Sequence, residues 1–152
     1  MGHMFTVSFQ EVSVGTPQQD LIQIEAKTVP AIVHAVYVSQ SSDVGDAVAE
    51  GLSILIRRVT DAVTDSATEV KLDQSSPAAN AGINVNQTTE LVAGAEIVHS
   101  EVWNIALPFV WLPPPEMRII IPIDSALTVN LNTTTADAIT ASATLYWEEI
   151  GS

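Results

Sequence analysis

The last third of the chain, IIIPIDSALTVNLNTTTADAITASATLYWEEI over residues 119–150, constrains the fold more than any other stretch. Leu127, Val129 and Leu131 alternate with Thr128, Asn130 and Asn132. Further on, Ile139, Ala141, Ala143, Leu145 and Trp147 alternate with Thr140, Ser142, Thr144, Tyr146 and Glu148. A strict period of two sends one set to a buried face and the other to water. A helix would spread the same apolar residues around its circumference. The stretch therefore predicts two strands and their connection.

The rest of the chain continues in this manner. Phe5, Val7 and Phe9 alternate with Thr6, Ser8 and Gln10 as a first strand, and the phase slips at Glu11-Val12, which predicts a bulge or bend. Ile22, Ile24 and Ala26 mark a second strand. Residues 31–40 make a third, apolar on both faces, as expected of a central strand or of one covered by a neighbouring subunit. Residues 41–51 read as a loop with at most one helical turn, for which Asp43 is the capping candidate. Leu52, Ile54 and Ile56 form a fourth strand with Arg57 and Arg58 at its end, and residues 67–72 a short fifth.

Residues 73–89, rich in Ser, Asn, Ala, Gln and Gly, read as a long surface connection. Strand character resumes over residues 91–105, interrupted at Gly94. Phe109-Val110-Trp111-Leu112 then runs into Pro113-Pro114-Pro115. Three prolines cannot sit in a central ladder and predict a rigid extended corner. Eight or nine short strands with polar turns and no long helix predict an all-β fold. A single antiparallel β-sandwich of jelly-roll-like form is the first expectation and an immunoglobulin-like sandwich the alternative. No internal repeat points to a propeller or solenoid. Residues 1–3 read as a cloning remnant and residues 4–152 as one domain.

Composition narrows the function. Apolar residues make up 47% of the chain and charged residues only 15%, a charge-poor balance that suits a protein burying surface against copies of itself or another protein. Eighteen acidic against five basic residues give a net charge of −13, which repels phosphate backbones, so no direct nucleic-acid partner is expected. No cationic amphipathic stretch, signal peptide or membrane-length apolar run is evident, and no membrane partner is expected. With no cysteine, thiol nucleophiles and zinc ribbons are excluded.

No residues stand at the spacing that catalysis or metal binding demands. His34 and His99 lack neighbouring ligands and read as hydrogen-bonded histidines near the core or at a subunit contact. Ser41, Ser42, Asp43 and Asp46 offer oxygens but not the series that wraps a calcium ion. Glu148 and Glu149, adjacent on a strand, point to opposite faces and form no acid/base couple. The serines show neither a GxSxG elbow nor an SxxK motif. A cupin-like metal enzyme needs more histidines than this chain supplies. No catalytic residue, cofactor or metal is therefore expected. Trp103, Phe109, Trp111, Tyr146 and Trp147 suit a sugar-binding platform or, more commonly, core anchors. Trp147 shares phase with Leu145 and reads as core; Trp111, beside the prolines, reads as an exposed interface residue.

Three blocks carry a family likeness: VHAVYVSQSSDVGDAVAEGLSILIRRVT (33–60), NVNQTTELVAGAEIVHSEVWNI (84–105) and ADAITASATLYWEEIG (136–151). Together they resemble small β-sandwich virion proteins of tailed bacteriophages, of the capsid decoration or cement type. The resemblance implies a jelly-roll-like, homotrimeric subunit, made in the bacterial cytoplasm and seated on the phage head. There it would brace the major capsid protein without performing a reaction. It further implies contacts through an N-terminal arm, for which residues 4–15 with Phe5, Val7 and Phe9 are the candidates, although they begin as a good strand. The corner Trp111, Pro113, Pro114 and Pro115 is the second candidate interface. A receptor- or glycan-binding module of a tail fibre or spike, using Trp111 and residues 73–89, is the alternative function.

Overall fold

A computed structural model describes residues 2–15, 17–42, 51–133, 135 and 138–151. Eleven strands form within them: β1 (His3–Val14), β2 (Gln19–Ala26), β3 (Ala31–Gln40), β4 (Gly51–Val59), β5 (Val70–Lys71), β6 (Gly82–Gln87), β7 (Glu96–Asn104), β8 (Phe109–Trp111), β9 (Ile119–Ile121), β10 (Ser125–Leu131) and β11 (Ile139–Glu149). The one helical element among the described residues is a 3₁₀ turn at Pro115–Met117. Asp43 and Asp46, the capping and calcium candidates, lie outside the described residues.

Every pairing is antiparallel, and the strands fall into two sheets. One runs β5-β1-β11-β3-β8, with β9 also on β3; the other runs β6-β2-β10-β4-β7. β1 lies beside β11, β2 beside β10, β3 beside β8 and β9, and β4 beside β7. The first half of the chain thus runs against the second as a double ribbon, rolled so that successive strand pairs occupy alternate sheets. This is the jelly-roll arrangement, with β5 and β6 added at the β1 and β2 edges.

The alternating residues close one core between the sheets. β11 buries every second side chain from Ile139 to Glu149, and Trp147 stacks on Phe5 with ring centroids 5.6 Å apart. The slip expected near Glu11 is a bulge: Phe9 faces Ala143 and Val12 faces Ala141, so Gln10 and Glu11 share the space opposite Ser142. Glu11 takes a left-handed φ of 50° there, and its N–H donates to Ser142 Oγ at 2.9 Å.

Two expectations are corrected. Thr128 and Asn130 are fully buried rather than wet, because the connections after β4 and before β7 fold across the outer face of the second sheet. Val59, Val63 and Ala126 form a small second apolar cluster under that cover, with Leu91 packed against it. The connection over residues 73–89 contains a strand, β6, hydrogen-bonded to β2. Arg57 and Arg58 stand at the end of β4 as expected, and Arg57 is buried there.

Candidate functional site

The outer face of the second sheet carries a buried polar seam that local sequence did not signal. Asp20 on β2 is wholly buried and accepts four hydrogen bonds. Its Oδ1 takes Arg57 Nη2 at 3.0 Å and Asn130 Nδ2 at 2.9 Å; its Oδ2 takes Gln23 Nε2 and the Leu91 N–H, both at 2.8 Å. Arg57 also donates to the Leu91 carbonyl at 3.3 Å and lies 3.9 Å from Glu90. β2, β10, β4 and the covering segment therefore meet at one carboxylate. A buried ion pair of this kind persists only with its remaining valences filled, as they are here. The seam positions strands. Every Asp20 acceptor direction is already occupied, leaving none for an incoming ligand.

The histidines lie on different sheets. His34 Nε2 is 3.1 Å from Glu148 Oε2, and His99 Nε2 is 3.2 Å from Glu101 Oε2. The His99 ring sits between the sheets near their open side, 6.3 Å from the Phe109 ring and 6.4 Å from that of Trp111. Among the described residues no group of three or more His, Cys, Asp or Glu could hold a metal ion. Glu148 and Glu149 do face apart. Glu148 is half-buried on the outer face, while Glu149 is buried, accepting the N–H groups of Asn80 and Ala81 at 2.8 Å each.

The proposed contact residues are placed differently from expectation. Phe5, Val7 and Phe9 point into the core of a strand paired on both sides, so residues 3–14 are no free arm. Trp111 is 9% exposed, not an outward residue, because it lies opposite Val36 and shares the inward phase of β8 with Phe109. Trp103 and Trp147 are likewise core anchors, so no tryptophan platform faces solvent. Pro113 is half-buried, while Pro114 and Pro115 are exposed. Pro114 is extended (φ −61°, ψ 159°), and the 3₁₀ turn then closes the corner.

What this side of the sandwich presents instead is aliphatic. Among the described residues, nine of the fourteen exposed large hydrophobics fall between Ile97 and Ile123. On β7 they are Ile97, Val98 and Val102, the last 72% exposed. Leu107, Val110, Leu112, Met117, Ile120 and Ile123 follow along β8, the proline corner and β9. β7 ends its sheet and β8 and β9 end theirs, so among the described residues two strand edges lie open side by side. A long apolar edge is a liability for a lone molecule and a template for pairing.

Strand order and core define the class as a jelly-roll β-sandwich. Comparison with known proteins identifies no family beyond that, since no family model, curated protein or solved structure matches the chain.

Proposed function

We propose that the protein is a non-enzymatic structural subunit that decorates and stabilises a tailed-phage capsid, associating with copies of itself as a homotrimer and with the major capsid protein of the shell. The observation that carries this reading is the aliphatic β7–β9 side. Residues 97–123 hold two carboxylates, Glu101 and Glu116, and one guanidinium, Arg118, in a chain whose net charge is −13. Like copies can meet there without the repulsion that the remaining surface imposes, and burying such a patch removes apolar area from water. Closed rotational symmetry would let the same two open edges serve every subunit. The likeness of the three sequence blocks to decoration proteins supports the virion setting, and the jelly roll is a fold that capsid proteins use.

The test is the solution mass. Light scattering at micromolar concentration is expected to give a trimer, and Val102→Glu with Leu112→Glu to give a folded monomer that no longer co-sediments with phage heads. A wild-type protein that stays monomeric and ignores phage heads would sink the reading.

A further inference from the structure

A cleft of about 460 Å³ opens on the outer face of the second sheet. Its floor is a pair of amides, Gln23 on β2 and Asn84 on β6, which stand directly opposite each other in the ladder. Thr64, Gln87 and Thr89 also line it, and Leu91 adds an apolar surface. Among the described residues no carboxylate and no cationic side chain lines it.

The two floor amides are fixed from behind. Gln23 Nε2 donates to Asp20 Oδ2 at 2.8 Å and to the Thr89 carbonyl at 3.1 Å. Asn84 Oδ1 accepts from the Ser66 hydroxyl, from Gln87 Nε2 at 2.8 Å and from the Val85 N–H at 3.1 Å. Gln23 is 2% exposed and Asn84 4%, yet each keeps one group without a protein partner among the described residues: the Gln23 Oε1 acceptor and the Asn84 Nδ2 donor. Neither atom is among the fully enclosed polar atoms lacking a partner, so both open to the cleft. A rigid acceptor beside a rigid donor matches a ligand whose groups both donate and accept, which is the chemistry of adjacent hydroxyls. Leu91 offers a surface for the C–H face of a ring.

We infer that this cleft is a binding site for a neutral saccharide, gripped by Gln23 and Asn84 and bordered by Gln87 and Thr64. It is separate from the assembly reading and does not depend on it. Acidic sugars are disfavoured, because the cleft supplies no cation and the protein's field is negative.

The experiment is an amide-detected NMR titration of the intact protein with glucose, galactose, mannose and N-acetylglucosamine, each into the millimolar range. The expected result is saturable shifts of the Gln23, Asn84 and Gln87 side-chain amide signals with at least one sugar. Gln87→Ala and, separately, Thr64→Val should weaken binding about tenfold, equivalent to roughly 1.4 kcal/mol, with the remaining backbone spectrum unchanged. N-acetylneuraminic acid should leave the same signals in place. Absence of shifts with all four sugars, shifts that map elsewhere or ignore both variants, or equal response to the anionic sugar would each overturn the proposal. So would a neutral tripeptide that moves these signals as strongly as any sugar.

Discussion

Glu149 shows what one residue can do in this fold. It is the last inward position of β11, and its carboxylate is 1% exposed. It compensates by accepting the N–H groups of Asn80 and Ala81 and the Asn80 side-chain amide at 3.0 Å. The connection after β5 is thereby pinned to the core strand. Glu149→Gln keeps the shape but removes the charge and turns one acceptor into a donor facing backbone donors. We expect a loss of about 2 kcal/mol, read as a lower urea midpoint with an unchanged slope. The alternation along β11 disclosed that Glu148 and Glu149 face apart. It could not disclose that the inner one is buried, because its partners lie 68 and 69 residues away.

At the level of single strands, apolar alternation was legible and polar burial was not. β11 matches its sequence reading because its inward residues up to Trp147 are aliphatic or aromatic. β3 keeps its expected bounds, but a bulge between Val33 and Ala35 changes its phase, so Ala31 and Val33 share the inward side with Val36 and Val38 while Ile32 and His34 do not. β6, GINVNQ, was hidden: its amides resemble a loop until Asn84 and Gln87 are seen bonded to each other at 2.8 Å. β10 was half legible. Leu127, Val129 and Leu131 are core as expected, but the outer residues Thr128 and Asn130 are sealed by a covering segment that no periodicity announces. That seal centres on Asp20. Asp20→Ala leaves Arg57 buried without its partner and is expected to cost about 3–5 kcal/mol in a urea melt. Adding Arg57→Met should restore part of the loss, whereas an equal or larger loss in the double variant would mean that the seam is not held by this pair.

Over the whole molecule, the fold class was readable because many brief alternating segments admit few solutions, and a sandwich is the commonest. The roll itself was not, since it depends on which strands meet, and every one of the four ribbon pairs joins distant parts of the chain. The candidate interface followed the same division. The stretch around the triple proline does carry exposed aliphatic side chains, but the indole singled out from the sequence is not among them. The pairing of Trp111 with Val36 turns the indole inward and leaves Val110 and Leu112 outside. The polar cleft was beyond reach altogether, because its lining comes from β2, β6 and the connections on either side of β5 and β6.

The pairing of His3 with Glu149 brings the first and last strands in chain order, β1 and β11, together at their ends. The order in which the strands are strung is therefore separable from the shape they make. A short glycine-serine bridge from Gly151 to His3, with new ends opened between the exposed residues Gln74 and Ser75, should yield a circular permutant of the same far-ultraviolet spectrum. In that permutant the β1–β11 ladder becomes a hairpin, closing early rather than last. Its refolding should be faster than that of the native order, as expected when a distant contact is made local. Stopped-flow tryptophan fluorescence, with Trp103 and Trp111 replaced by Phe in both versions so that only Trp147 opposite Phe5 reports, would record the difference.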